Sequence, residues 1–160
     1  MCSSDLITAE ATELGIVRDN VLNYTSHINA GSYSIARDIS NLFKLPHEEA
    51  LGYMRRNDTD STRTLSSAKR QEFEQITQNY MTELSALFKE TGDALSIPKT
   101  IFLHTDALTE DFFKNLITQA ANNVTKTKHS VHAITAEYFN IDTIKDSALL
   151  VSAYVFHNQL

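Results

Sequence analysis

Side chains able to do acid–base or metal chemistry are few in this sequence, and they do not cluster. His104 and Asp106 stand two apart, a spacing that can supply half of a metal or catalytic constellation. No second ligand pair accompanies them, so they read as a strand-end histidine and a helix-capping aspartate. His129 and His132 fall on a polar stretch and a strand start, and read as surface histidines. Glu48 and Glu49 look like paired carboxylates, but adjacent helical positions face apart. Near a helix N-terminus they act as electrostatic stabilisers. Arg55-Arg56 and Lys126-Thr127-Lys128 are short basic spots expected to be solvated. No Ser/His/Asp or Cys/His set is supported by spacing, so no catalytic and no metal-binding residue is expected.

The elements that position these residues follow from periodicity. Residues 11–18 and 21–29 read as two strands, and Asp19-Asn20 between them is good hairpin chemistry. After Gly31 a helix carries Ile35, Ile39, Leu42 and Phe43 on one face. Pro46 suits the first turn of a second helix running to about Arg56, and residues 57–63 form a polar loop. The longest helix spans Thr64 to Thr91, with Phe73, Ile76, Tyr80, Leu84, Leu87 and Phe88 as a core stripe and Gly92 ending it. Residues 99–104 read as a strand. The next helix faces Leu108, Phe112, Phe113, Leu116, Ile117 and Ala120 to the core, and 121–130 is a loop. A strand over 131–139 and a last helix with Ile141, Ile144, Ala148, Val151 and Val155 complete an α/β order.

Composition sets the bounds. A complete domain of 160 residues buries roughly 70% of its unfolded surface. With 42% hydrophobic and 21% charged residues, the chain is an ordinary globular one. Its net charge of -6 argues against a nucleic-acid partner, since phosphate binding needs a concentrated basic surface. No run reaches the length of a membrane span and no signal-peptide layout is present. Cys2 is the single cysteine, which fits a reducing cytoplasm. With GTG read as a start codon, Met1-Cys2-Ser3-Ser4-Asp5-Leu6 is what GTG TGC TCT TCC GAT CT encodes, DNA that looks like a short-read sequencing adapter. Residues 1–6 are therefore expected to be an artefact that stands outside the fold.

An ordered set of segments resembles the actin-like proteins of the FtsA/PilM type. Ile28-Asn29-Ala30-Gly31-Ser32-Tyr33-Ser34-Ile35-Ala36-Arg37-Asp38-Ile39 is similar to the family stretch I-P-x-G-G-x-x-I-T-x-D-I. Pro46-His47-Glu48-Glu49-Ala50 follows at the right distance, like S-x-E-E-A-E-x-L-K. Ala11 to Val17 is similar to the hairpin after the phosphate motif D-I-G-x-x-x-T, and Ile97 to Leu103 sits where the family has a strand leading into a Gly-Gly loop. The resemblance covers about residues 7–156 and implies a ribonuclease-H-like actin-fold subdomain with a mixed sheet. Subdomain IIA would comprise 7–45 and 93–160, and a IIB-like helical part 46–92. It also implies that the central first strand lies upstream of Ile7 and is missing, leaving a truncated fragment that folds poorly alone.

Departures from the family pattern fall on its nucleotide contacts. By position, Thr12, Gly31 and Ser32 are the residues left to bind nucleotide. Leu6 and Thr8 stand at the family's Asp and Gly, Leu51 and Met54 at the Glu and Lys that contact adenosine, and Thr105-Asp106 at the last Gly-Gly. Such glycines let backbone approach phosphate closely. The resemblance thus implies a degenerate scaffold of the cell-division or type IV pilus machinery, without enzymatic activity and with nucleotide binding weak or lost. Its partners would be proteins of such a complex, with self-association open to it, no nucleic acid, and peripheral placement at the inner face of the membrane. The alternative is an active actin-like ATPase using ATP and magnesium. A second alternative reads Ser34 to Arg56 as a helix-turn-helix, though Glu48 and Glu49 at the start of its recognition helix would repel DNA.

Overall fold

The computed structural model describes residues 2–19, 21–56, 66–91, 97–106 and 108–134. Strands β1 (Cys2–Ile7), β2 (Thr12–Arg18) and β3 (Val21–Ile28) come first. Helices α1 (Ser32–Phe43), α2 (His47–Arg56) and α3 (Ser67–Glu90) follow, then β4 (Thr100–Thr105), α4 (Glu110–Thr125) and β5 (Ser130–Ala133). The five strands form one sheet in the order β3-β2-β1-β4-β5. The first three pair antiparallel, and β4 and β5 continue parallel to β1. This is the mixed sheet of a ribonuclease-H-like subdomain, as the resemblance implied.

Local chemistry explains the elements. Asp19 takes a left-handed backbone (φ 53), which a short polar side chain tolerates. Asn23 closes the hairpin by donating its side-chain amide to the carbonyls of Arg18 (3.2 Å) and Val21 (2.7 Å). Strand β2 buries Thr12, Leu14 and Ile16 on alternate positions, the period-2 pattern of a strand with one core face. Helix α1 buries Ile35, Ala36 and Ile39 and stops at Lys44 in the left-handed region. The Pro46 carbonyl then accepts the first amides of α2, from Glu49 (3.0 Å) and Ala50 (3.1 Å). Ser66 caps α3, which buries Tyr80, Leu84, Leu87 and Phe88, with Phe73 and Ile76 half-buried. The stripe is core, as its spacing requires. Rings tie the helices together: Phe43 stacks on Tyr53 at 5.4 Å and on Phe73 at 6.2 Å, and Tyr80 meets Phe113 edge-on at 5.3 Å. One apolar cluster runs from Ile7 and Ile101 in the sheet through Ile39, Leu51, Leu84 and Phe113.

Several expectations are corrected. The centre of the sheet is not missing: Cys2–Ile7 fills it, paired with β2 on one side and β4 on the other. A ladder is built by main-chain groups, so an extended, proline-free stretch serves there whatever the origin of its codons. No facing edges remain between β2 and β4, and the ground for expecting poor folding disappears with them. Leu108 does not face the core; it precedes α4 at φ 55 and is 72% exposed. The stretch 121–130 is not all loop, because α4 continues to Thr125 and buries Ala121. His129 is buried rather than superficial, its Nδ1 within 3.2 Å of Asn122 Oδ1 and 3.1 Å of the Thr127 carbonyl. His132 is exposed as expected. The loop at 57–63, Gly92, the far end of the strand over 131–139 and the last helix lie outside the described residues.

Candidate functional site

The residues assigned to nucleotide by resemblance do come together, at the junction of the β1–β2 loop with the start of α1. Thr8 shapes that loop: its amide donates to the Ala11 carbonyl (2.9 Å), and the Ala11 amide donates to Thr8 Oγ1 (3.1 Å). The leading turn of α1 then closes onto it. The Ser32 amide donates to the Thr8 carbonyl at 3.0 Å, Ser32 Oγ reaches the same oxygen at 3.2 Å, and the Tyr33 amide donates to the Ala9 carbonyl at 2.8 Å. The Gly31 amide donates to Ser34 Oγ (2.9 Å). A helix N-terminus offers unpaired amides that suit an anion; here three of them are engaged by the chain itself.

Gly31 makes this approach possible. A Cβ there would lie 2.4 Å from the Thr8 carbonyl oxygen, 2.6 Å from the Ala11 nitrogen and 2.7 Å from the Ala9 carbonyl carbon. Its φ of -128 is ordinary extended backbone, so the requirement is space rather than conformation. Thr12 is fully buried beside it. Its hydroxyl donates to the Ala30 carbonyl at 2.7 Å, and Tyr80 Oη lies 2.7 Å from the same Oγ1. A carbonyl can only accept, so Thr12 gives its one proton to Ala30, and Tyr80 is the donor to Thr12.

The remaining family positions lie elsewhere in the fold. Thr105 and Asp106 end β4 next to the end of β1, with the Asp106 amide donating to the Ile7 carbonyl at 3.1 Å. Thr105 is buried and holds the start of α4, its Oγ1 accepting from the Thr109 amide (3.0 Å). Asp106 therefore does not cap that helix; its Oδ1 lies 4.0 Å from His104 Nε2. His104 is buried at the strand end, with Nδ1 3.1 Å from the Ile134 carbonyl. Among the described residues no group of three His, Cys, Asp or Glu side chains can hold a metal ion. Leu51 and Met54 are 1% exposed and belong to the core, so nothing outside the protein meets them in this arrangement. Glu48 is exposed and pairs with Arg55 at 2.8 Å.

Tyr80 is the site residue that sequence reasoning missed. It stands 68 positions from Thr12 and reads as one more member of the α3 stripe. The available signal was chemical: a tyrosine on a buried stripe must find a partner for its hydroxyl. The left-handed residue of the β4–α4 loop was missed as well, since the family pattern draws attention to Thr105-Asp106 while the structure puts φ 55 at Leu108. Leu108→Gly is expected to stabilise the protein by roughly 0.5–1 kcal/mol by relieving that backbone. A urea midpoint that falls instead would mean that the exposed leucine side chain is itself held by a contact.

No protein-family model matches the chain, and no curated protein matches it. Solved structures do. The type IV pilus biogenesis complex PilM–PilN superposes with a TM-score of 0.56 at 13% identity, covering 84% of this chain and 35% of the solved one. Ethanolamine utilization protein EutJ from Carboxydothermus hydrogenoformans gives 0.50 at 12% identity, covering 81% and 43%. The activator of 2-hydroxyisocaproyl-CoA dehydratase from Clostridium difficile, solved with bound ADPNP, gives 0.50 at 11% identity, covering 82% and 54%. The chain thus spans between about a third and about half of the length of these proteins. Identities this low speak for architecture alone, and the architecture of this chain is part of the actin-like ATPase fold.

Proposed function

We propose that this chain is part of a degenerate actin-like scaffold that serves a division or pilus assembly through protein partners, with nucleotide binding weak or lost. One observation carries the reading. At two of the positions that the resemblance gives to nucleotide, the polar donors, namely the Ser32 amide and hydroxyl and the Thr12 hydroxyl, already donate to carbonyls of the chain itself. A nucleotide would have to break those bonds before making its own. Each bond broken forfeits roughly 1 kcal/mol of what the nucleotide's own bonds would contribute. Several together carry a micromolar affinity to millimolar, at about 1.4 kcal/mol per tenfold. The carboxylate of Asp106, exposed at the end of β4, further opposes an anion there.

The PilM of the solved pilus complex assembles with PilN, which favours a protein partner for this chain too. No helix among the described residues is long and apolar enough to cross a membrane. The reading puts the protein at the inner membrane face through such partners, and a tagged protein that stays diffuse would count against it. A second reading, an active ATPase, draws support from the solved activator that holds ADPNP. Calorimetric titration of Mg·ATP separates the two, performed on the longest reading frame that contains this chain. The expected dissociation constant is weaker than about 1 mM, and one tighter than about 0.1 mM would restore the ATPase reading.

A further inference from the structure

We propose that the Tyr80 hydroxyl is a built-in latch that keeps the β1–β2 loop docked on the start of α1, closing the junction without any ligand. The proposal rests on the reading of that junction as an eroded nucleotide site. Two chain segments meet there, Thr8 to Thr12 and Ala30 to Tyr33. They are joined by the Thr12 hydroxyl on the Ala30 carbonyl, the Ser32 amide and hydroxyl on the Thr8 carbonyl, and the Tyr33 amide on the Ala9 carbonyl. All four bonds tie segments that are adjacent in space and about twenty positions apart in sequence. A tie to α3 is Tyr80, 3% exposed, donating to a threonine oxygen that is itself fully buried.

The chain of bonds has a direction. Tyr80 donates to Thr12, and Thr12 donates to Ala30, the residue before the first turn of α1. Each hydroxyl that donates becomes a better acceptor, so the two bonds reinforce each other in this buried setting. The Tyr80 ring is fixed in turn against Phe113 of α4, so the hydroxyl is aimed by the packing of two helices. Deleting it leaves a buried threonine oxygen short of a donor, and only water or a ligand entering the junction can supply one. The loop would then lift from α1 and release the Ser32 and Tyr33 amides. A single oxygen on α3 thus shifts the balance between sealed and open for the anion-suited amides of α1.

Amide exchange in the full chain, followed by NMR, is the test. In Tyr80→Phe the Ser32 and Tyr33 amides are expected to exchange about tenfold faster, over and above any change at Ile101 and Leu103 in β4. Millimolar inorganic phosphate should shift those two resonances in the variant and leave them in place in the wild type. Equal acceleration at all four amides would make Tyr80 an ordinary core residue and overturn the latch. Thr12→Val and Thr12→Ser give an independent check, the valine reproducing the opening and the serine preventing it; a valine variant with slow Ser32 and Tyr33 amides overturns the proposal as well. Tight Mg·ATP binding by a wild type whose two amides stay slow would remove the scaffold reading alone, because the latch is read from exchange and not from nucleotide.

Discussion

Removing Cys2 to Leu6, or placing proline at position 5, is expected to abolish the cooperative urea transition of this protein. Strand β1 joins the antiparallel half of the sheet to the parallel half through six residue pairs with β2 and five with β4. Without it β2 and β4 present facing, unpaired edges, and the core loses the floor between Leu14 and Ile101, both buried. Asp5→Pro deletes one main-chain donor in the middle of a central strand and leaves the facing carbonyl unpaired, at about 1–3 kcal/mol besides the clash of the ring. That is a large part of the roughly 5–15 kcal/mol that holds a domain together. Asp5→Ala keeps the donor and controls for loss of the carboxylate. Circular dichroism and fluorescence transitions should coincide in the wild type and vanish in the deletion. An unchanged midpoint after the deletion would mean that some other segment occupies the centre of the sheet, and would restore the expectation that residues 1–6 stand outside the fold.

Gly31→Ala is expected to lower stability by about 3 kcal/mol, or roughly 6–12 °C in melting temperature for a chain of this size. Alanine at an ordinary φ would otherwise stabilise slightly, by restricting the unfolded chain. Here the added methyl meets three main-chain atoms of the β1–β2 loop at 2.4–2.7 Å, and backbone cannot swing away as a side-chain tip can. Either the loop or the first turn of α1 must shift by about an ångström, and the bonds from Ser32 and Tyr33 to Thr8 and Ala9 go with it. Thermal unfolding followed by far-UV dichroism measures the loss. A variant within 0.5 °C of the wild type (about 0.2 kcal/mol) would show that the loop yields freely, and would take away the premise of the closed junction.

The glycine also shows where a family pattern misleads when read without coordinates. By resemblance Gly31 serves close approach to phosphate; in the fold it serves close approach to the protein's own loop, and the same missing Cβ answers both needs. Thr105 was read as a glycine lost from a ligand loop, yet its hydroxyl anchors the start of α4. Thr105→Gly therefore removes a helix anchor.

What the sequence determined by itself is the set of local elements and their buried faces. The hairpin from Thr12 to Ile28, the apolar face of α1 and the α3 stripe from Phe73 to Phe88 follow from periods of 2 and 3.6 and from turn residues, all short-range matters. The α/β order followed from their succession. Tertiary structure decided the rest. That the polar Cys2–Ile7 is the central strand depends on edges supplied by β2 and β4, about ninety residues apart, and no local pattern announces it. That His129 is buried depends on α4 running on to Thr125 and folding Asn122 over it. That Thr12 gives its proton to Ala30 and takes one from Tyr80 depends on a helix 68 positions away, because a hydroxyl's partner is fixed by what packing brings within 3 Å and not by its neighbours in sequence.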